Sequence, residues 1–274
     1  ARLARRSSFS RKVAGDVTDE QIVAANIDTV LLITALDGDL NPRRIERYIA
    51  LSADSNADPV IVLNKADLCE DAAGRLAEVS AVAGDAPVHA ISATAGSGLD
   101  QLEAYLAPGR TVALLGSSGV GKSTIINALL GEQRQATREV RNRDGRGRHT
   151  TTRRERIRLP SGALIVDTPG MRELQLWSDG EGLGEAFGDI VALAAACRFR
   201  DCRHQTEPGC AVRQAVERGD LNADRLDSFH RLTRELAHLE QRQQDRPPDS
   251  KQRFKSISKE IKRYYKDQRR RGWR

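Results

Sequence analysis

Short apolar runs alternate with segments of helical spacing over the first two thirds of this 274-residue chain. Runs such as TVLLI at residues 29–33 and VIVL at residues 60–63 predict strands that are buried on both faces. Strands that alternate with helices are typical of a three-layer α/β fold with a mostly parallel sheet. The predicted strands cover residues 29–33, 60–63, 88–91, 111–115, 154–159 and 163–166, and the predicted helices cover residues 43–52, 72–82, 99–106 and 124–130.

The pattern changes at both ends of the chain. Residues 1–20 show no periodicity, so we interpret them as a linker or basic N-terminal arm, or as the tail of an absent domain. After residue 178 the chain becomes helical, then cysteine-bearing, and finally rich in Lys and Arg. Residues 224–239 there have the spacing of an amphipathic helix. We therefore predict an α/β domain over residues 21–178 and a small, mainly helical domain over residues 179–274.

A glycine-rich sequence, GSSGVGKS, lies between the strand predicted at residues 111–115 and the helix predicted at residues 124–130. This phosphate loop, residues 116–123, matches G-x-x-x-x-G-K-[ST] at every fixed position. In that role backbone N–H groups converge on a triphosphate, Lys122 reaches the β- and γ-phosphates, and the Ser123 hydroxyl binds Mg²⁺. The alternative is a coincidental Gly/Ser-rich turn, which the flanking strand and helix disfavour. The predicted phosphate-binding residues are Gly116, Ser117, Ser118, Gly119, Val120, Gly121, Lys122, Ser123 and Thr124.

Two strand ends carry residues suited to a guanine base. Asn64-Lys-Ala-Asp67 matches the N-K-x-D pattern of GTPases. The Asp67 carboxylate can accept from guanine N1–H and N2–H₂, whereas adenine would leave it unpaired. Lys65 is predicted to pack its stem on the base, and Asn64 to brace the loop and N7. At the next strand end, Ser92-Ala93 is predicted to present the Ala93 N–H to O6. Alone, N-K-x-D is often an ordinary turn, but the phosphate loop favours the base site.

A third strand end is predicted to bind Mg²⁺. Asp167-Thr-Pro-Gly170 matches D-x-x-G, in which Asp167 holds Mg²⁺ and the Gly170 N–H contacts the γ-phosphate. The simpler alternative is a strand that ends in a Pro-Gly turn. Three threonines at residues 150–152 supply a further Mg²⁺ ligand, and the sequence leaves open which one; we favour Thr150 or Thr151.

The order of these motifs is unusual. An ordinary GTPase runs from the phosphate loop through D-x-x-G to N-K-x-D, whereas here N-K-A-D and S-A come first. The predicted fold is therefore a circularly permuted P-loop GTPase domain followed by the small helical domain. Because every motif lies at a strand end, one site can still form. Residues after Gly170 now lead directly into the C-terminal domain, so a γ-phosphate contact there is predicted to reposition that domain.

Three cysteines and a histidine within fourteen residues predict a structural zinc site. Cys197, Cys202, His204 and Cys210 supply a complete tetrahedral Cys₃His set and leave no open position for a substrate. Disulfides are the weaker alternative in a reducing compartment. The remaining cysteine, Cys69, is interpreted as a packing residue.

The net charge of +6 conceals three strongly basic segments. Residues 1–12 carry five basic groups and no acidic ones, residues 134–158 have a net charge of +7, and residues 251–274 have a net charge of +9. Such segments attract a polyanion, above all nucleic acid, although each one alone is equally explained as a solvated arm. No apolar run has the length of a membrane span, so we expect a soluble cytoplasmic monomer with no membrane partner.

Taken together, these motifs resemble the bacterial ribosome small subunit-dependent GTPase family, RsgA, also called YjeQ. The resemblance rests on the permuted order, HTTT at residues 149–152, DTPG at residues 167–170 and the C-x₄-C-x-H-x₅-C spacing, and it covers nearly the whole chain. It implies GTP hydrolysis to GDP stimulated by the 30S subunit, a role in late maturation of that subunit, and contact with 16S rRNA. Family members also have an N-terminal OB-fold domain that binds RNA. No β-rich segment of that kind fits before residue 21, so we expect this chain to lack it.

The catalytic group is expected to come from the Arg-rich loop. The position after D-x-x-G, where many GTPases have Gln, holds Met171, which makes no useful hydrogen bond. We predict His149 as the catalytic residue, together with Lys122; the alternative is a solvent-exposed His149 with no catalytic part. Arg146 and Arg148 are interpreted as rRNA phosphate contacts. An alternative function is a nucleotide-gated rRNA-binding assembly factor in which GTP turnover is incidental.

Overall fold

The computed structural model describes residues 4–12, 20–133, 155–167 and 181–244. By their contacts the residues fall into two compact units, Ala1–Leu236 and Ala237–Arg274. The first unit contains the sheet, its helices and the cysteine cluster. The described residues of the second unit, 237–244, are the end of one helix. No helix among the described residues is long and apolar enough to cross a bilayer.

The centre of the first unit is a six-stranded sheet. The strands of the described residues are β1 (Ser8–Lys12), β2 (Glu20–Ala25), β3 (Thr29–Ala35), β4 (Asp58–Asn64), β5 (Val88–Ala90), β6 (Thr111–Gly116), β7 (Glu155–Arg158) and β8 (Leu164–Asp167). The order across the sheet is β5-β4-β3-β6-β8-β7, and all neighbouring strands pair in parallel except β7, which runs antiparallel to β8. The predicted mostly parallel sheet is therefore confirmed.

Three α-helices lie where the apolar spacing predicted them, at residues 43–52, 72–82 and 124–130, whereas the helix predicted at residues 99–106 is a 3₁₀ segment. The first helix, Pro42–Asp54, has Asn41 as its N-cap, because the Asn41 side chain accepts from the Arg44 N–H at 3.2 Å. Pro42 occupies its first turn, where proline is well tolerated. The α-helices are α1 (Pro42–Asp54), α2 (Ala72–Ala83), α3 (Lys122–Leu130), α4 (Glu181–Ala186), α5 (Gly188–Ala194), α6 (Ala211–Arg218) and α7 (Ala223–Gln244). Two 3₁₀ segments, Ala66–Leu68 and Leu99–Tyr105, complete the helical structure of the described residues.

Both faces of the sheet are buried, which explains the continuous apolar runs. Leu32 of β3 lies in one core cluster with Ile45 of α1, whereas its neighbour Leu31 lies in the other cluster with Ile125 of α3. Leu31 and Leu32 are 0% and 1% exposed. Each fully buried side chain of this size contributes about 1.5–3 kcal/mol, so alternation across β3 fixes the strand between its two helix layers.

Residues 8–12 differ from the prediction, because they form β1 where we expected a linker. This strand pairs antiparallel with β2, and Phe9 is 1% exposed in the same core cluster as Val23. The Ser8 N–H donates to the Ser55 carbonyl at 3.1 Å, which fixes the segment at the end of α1. Phe9 is the one apolar residue in the sequence SFSRK, so the strand has no periodic signal and depends on its pairing with β2.

The predicted boundary between residues 178 and 179 does not separate two compact units. Helix α4 packs against α1, and Leu183, Phe187 and Ile190 share a core cluster with Ile49. The helical segment over residues 181–236 is therefore part of the same unit as the sheet, since it covers the apolar side of α1.

A buried arginine holds this packing together. Arg225 of α7 is 7% exposed and donates to both carboxylate oxygens of Asp189, at 2.6 and 2.7 Å, and to Glu46 at 2.9 Å. Its guanidinium lies 4.8 Å from the centre of the Phe187 ring. Burial raises the pKa of Glu46 in spite of this guanidinium. Burial also acts to raise the pKa of Asp189, but the hydrogen bonds from Arg225 outweigh it, and the net shift is downward.

Candidate nucleotide site and metal centre

The predicted nucleotide motifs meet at the carboxyl edge of the sheet. In the parallel register Ile33 of β3 lies opposite Gly116, and Ala35 lies opposite Asn64. On the far side of β4, Leu63 lies opposite Ala90, two residues before Ser92. The carboxyl edge of such a sheet is where ligands bind in open α/β folds. The three motifs therefore share one edge although their order along the chain is permuted.

The phosphate loop is shaped by close approaches of its backbone. A Cβ on Gly116 would collide with the Ile33 carbonyl oxygen, so the glycine lets β6 lie close to β3. Gly121 has φ +97°, and a Cβ there would collide with the amide nitrogen of Asn64. Helix α3 begins directly afterwards, which places its N-terminal N–H groups at the loop. Lys122 Nζ donates to the carbonyls of Gly116 at 2.8 Å and Ser117 at 2.6 Å.

Asn64 connects all three motifs. It is 2% exposed, its Nδ2 donates to the Val120 carbonyl at 2.8 Å, and its Oδ1 accepts from the Ala93 N–H at 3.1 Å. Asn64 was predicted to brace the loop and N7, and in the structure its side chain joins the phosphate loop to the S-A loop. The Ala93 N–H was predicted to face guanine O6, but here it is bonded to Asn64. The buried Asn64 amide oxygen needs a hydrogen-bond donor, and the Ala93 N–H supplies it instead of facing the base.

The remaining predicted base residues lie beside this connection. Lys65 has φ +63°, and its Nζ donates to Asp37 at 2.5 Å. Asp67 is exposed in the 3₁₀ turn that follows. Ser92 is 1% exposed, and its hydroxyl accepts from the Ala95 N–H at 3.1 Å. Asp37 was not predicted, because nothing in its local sequence signals a partner 28 residues away.

Part of the predicted magnesium site lies in the described residues. Ser123 lies in the first turn of α3, and Asp167 ends β8 and is 7% exposed. Pairing of Val166 with Ala113 places Asp167 near the end of β6, the strand that leads into the phosphate loop. The other predicted residues of this site, Gly170, Thr150 and Thr151, lie outside the described residues, as do His149, Met171, Arg146 and Arg148.

The structure brings Cys197, Cys202, His204 and Cys210 together, with all four ligand atoms within 4.8 Å of one another. His204 Nδ1 lies 3.6 Å from Cys197 Sγ and 3.4 Å from Cys210 Sγ, and these two sulfurs are 3.9 Å apart. A tetrahedral zinc ion with Zn–S of about 2.3 Å and Zn–N of about 2.0 Å requires S–S and S–N separations of about 3.8 and about 3.5 Å. The donor set therefore fits one zinc ion.

The surroundings of the cluster favour the metal-binding protonation states of Cys197 and His204 but not that of Cys202. Burial acts to raise the pKa of Cys197, but backbone N–H groups of Val212 and Ala211 at the start of α6 lower it overall. Desolvation raises the pKa of Cys202 to about 11. Burial, with nearby His230, lowers the pKa of His204, which keeps its imidazole neutral. Bound zinc would hold all three sulfurs as thiolates.

Comparisons with known proteins agree with this geometry. The sequence model of the RsgA GTPase family matches residues 2–177, and that of the 50S ribosome-binding GTPase family matches residues 111–245. A protein of Opitutus terrae named small ribosomal subunit biogenesis GTPase RsgA is 54% identical over 88% of this chain and 66% of its own length. The protein of that name in Methanosarcina acetivorans is 49% identical over 96% of this chain and 72% of its own length. This chain thus spans about two thirds to three quarters of the length of these relatives.

Solved structures give the same picture of the fold. The crystal structure of YjeQ from Thermotoga maritima aligns with a TM-score of 0.63 and 28% identity, over 86% of this chain and 77% of that one. YloQ, described as a circularly permuted GTPase, aligns with a TM-score of 0.56 and 23% identity over 89% of this chain and 75% of its own. The second likeness supports the permuted fold alone.

Proposed function

This chain is a GTPase of the RsgA family, and we propose that it binds GTP with Mg²⁺, hydrolyses it to GDP and phosphate, and acts in late maturation of the small ribosomal subunit. The observation that carries the proposal is the position of Asn64. One buried amide joins the N-K-A-D strand end, the S-A loop and the phosphate loop through bonds of 2.8 and 3.1 Å. A base site and a phosphate site are thereby held at a fixed separation, as a guanine nucleotide requires.

The base is read by Asp67 in this proposal. Its carboxylate accepts from the N1–H and N2–H₂ groups of guanine, and Lys65 and Asn64 hold the loop that presents it. Asp67→Asn should shift the nucleotide preference from GTP toward xanthosine triphosphate, because an amide can donate to the 2-oxo group of xanthine. Equilibrium binding of GTP, ATP and xanthosine triphosphate to both proteins checks this. Equal GTP preference in the two proteins would remove Asp67 from base recognition.

The phosphates bind to the loop and to the start of α3. The N–H groups of residues 116–124 and the Lys122 ammonium neutralise the β- and γ-phosphates. The Ser123 hydroxyl and the Asp167 carboxylate would hold Mg²⁺, with Thr150 or Thr151 as a further ligand. Bound Mg²⁺ would neutralise the negative charge that develops on the phosphates of the leaving GDP.

Hydrolysis needs a group that orients the attacking water. Since Met171 follows the D-x-x-G motif, we assign this role to His149 and the stabilisation of developing charge to Lys122. Replacement of His149 by Ala should remove stimulated hydrolysis and leave GTP affinity unchanged. Full activity in a single-turnover assay would exclude His149 from the mechanism.

The zinc site has a structural role in this account. Cys197, Cys202, His204 and Cys210 complete a tetrahedron, so the ion has no open position for substrate. His204 lies 6.4 Å from Phe229, which in turn packs 5.5 Å from Phe187, ring centre to ring centre. The ion therefore supports the helices that cover α1.

The partner in this proposal is the small ribosomal subunit, and its 16S rRNA is the polyanion. The three basic segments supply phosphate contacts, and the account places the protein in the cytoplasm as a monomer. Co-sedimentation with 30S subunits in the presence of a non-hydrolysable GTP analogue or GDP tests the association. Absence of nucleotide-dependent association would contradict this part of the proposal.

A further inference from the structure

Arg44 of α1 contacts the phosphate loop from outside all the motifs described above. Its Nη1 donates to Asp39 at 2.8 Å and also to the Ser117 hydroxyl. The side chain is one-third exposed. Ser117 follows Gly116 directly, and the backbone carbonyls of both residues accept from Lys122. Arg44 thus contacts the residue whose backbone also holds the phosphate-loop lysine.

Arg44 is held in place on both sides. The Thr34 hydroxyl donates to the backbone carbonyl oxygen of Asp39, the acidic partner of Arg44, at 3.3 Å. The backbone N–H of Arg44 donates to the cap of α1 at Asn41. A planar guanidinium fixed by a carboxylate loses little additional freedom when it makes a second hydrogen bond.

Helix α1 itself is anchored by α7 through three ion pairs. Arg47 donates to both oxygens of Glu235, at 2.5 and 2.8 Å. Glu46 accepts from Arg225 at 2.9 Å, and Arg43 donates to Asp224 at 2.7 Å. These contacts, together with the packing of α4, leave α1 little room to shift along the sheet. Arg44 therefore projects from a fixed helix.

We infer that Arg44 is a positioning residue for the phosphate site. It holds Ser117, and with it the first turn of the phosphate loop, in the conformation that points the later N–H groups at the phosphates. The gain is in preorganisation, because the loop then loses less conformational freedom on binding. This inference rests on the proposed function, since it needs a nucleotide that the loop binds.

The test is titration of a fluorescent guanine nucleotide with Mg²⁺ into the wild type, Arg44→Ala, Ser117→Ala and the double variant. Each single change should weaken binding about tenfold, the size of one charge-assisted hydrogen bond. The double variant should bind no more weakly than the single variants, because both remove the same interaction. Arg44→Lys should recover part of the affinity, since an ammonium can replace one donor.

Arg43→Ala is the matched control. It removes the most exposed of the three ion pairs that hold α1, while the more buried Arg47–Glu235 and Glu46–Arg225 pairs remain, and it does not touch the phosphate loop. It should therefore bind within about twofold of the wild type. Binding by Arg44→Ala within twofold of the wild type would overturn the inference, as would single effects that multiply in the double variant. If Arg44→Ala fails to fold, Ser117→Ala tests the same bond from the other side. Wild-type binding tests the proposed function separately, because the inference concerns only ratios between variants.

Discussion

Replacing Asn64 with Ala tests the connection on which the nucleotide site depends. The change removes the donor to the Val120 carbonyl and the acceptor for the Ala93 N–H, and both backbone groups belong to buried residues. Each net hydrogen bond is worth about 0.5–1.5 kcal/mol, and each buried group left without a partner adds about 1–3 kcal/mol where water cannot replace it. With partial access of water to the carboxyl edge, we expect a loss of about 2–4 kcal/mol in the free energy of unfolding.

Urea unfolding followed by circular dichroism measures this loss, and a melting temperature lower by about 6–12 °C should accompany it. Guanine nucleotide affinity should fall as well, because the Val120 carbonyl positions the phosphate loop. Asn64→Asp is the sharper variant, since it keeps an acceptor for Ala93 but turns a carboxylate oxygen toward the Val120 carbonyl. It should destabilise the protein at least as much.

Thr94→Ala, an exposed change in the neighbouring loop, is the control and should stay within about 0.5 kcal/mol of the wild type. An Asn64→Ala protein that unfolds at the wild-type urea concentration, or an Asn64→Asp protein more stable than Asn64→Ala, would refute the bridging role.

Three further predictions concern the helical segment. Cys210→Ser should abolish stoichiometric zinc by mass spectrometry of the metal content and lower the melting temperature; retention of one zinc per chain would contradict the Cys₃His assignment. Arg225→Met should cost about 3–5 kcal/mol in urea unfolding, because it leaves Glu46 buried without its cation, and adding Glu46→Gln should restore part of this; no restoration would contradict the network. Arg225 lowers the pKa of Asp189 overall although burial acts to raise it, so Asp189 stabilises the fold above its unfolded pKa of about 3.9. That contribution should be lost as pH falls below about 4, and Asp189→Asn should reduce the acid sensitivity; an unchanged pH profile would contradict it.

The sequence predicts the sheet well because its strands are buried on both faces. An apolar run such as residues 60–63 is stable where both of its faces are buried, so it predicts a central strand. The motifs that follow such runs then locate the carboxyl edge of the sheet. Strand β1 could not be predicted in the same way. With Phe9 as its one apolar residue, the strand depends on hydrogen bonding to β2 and on the core that buries Phe9.

The motif residues of the site were predictable for a similar reason. A phosphate loop or a Cys₃His set combines residue type and spacing, so its chemistry is local. The contacts that support the site are not local. Arg44 lies 73 residues from Ser117, and Arg225 lies 179 residues from Glu46. Such pairs need the three-dimensional arrangement of α1 and α7, and nothing in the sequence near either partner reports it.

The decisive measurement is GTP hydrolysis by the protein with and without purified 30S subunits. Phosphate release by the protein alone should be slow, and turnover should rise with 30S concentration until it saturates. Lys122→Ala, which removes the phosphate-loop ammonium, should show no stimulation. GTP turnover that is the same at every 30S concentration would contradict the account and favour a nucleotide-gated RNA-binding factor instead.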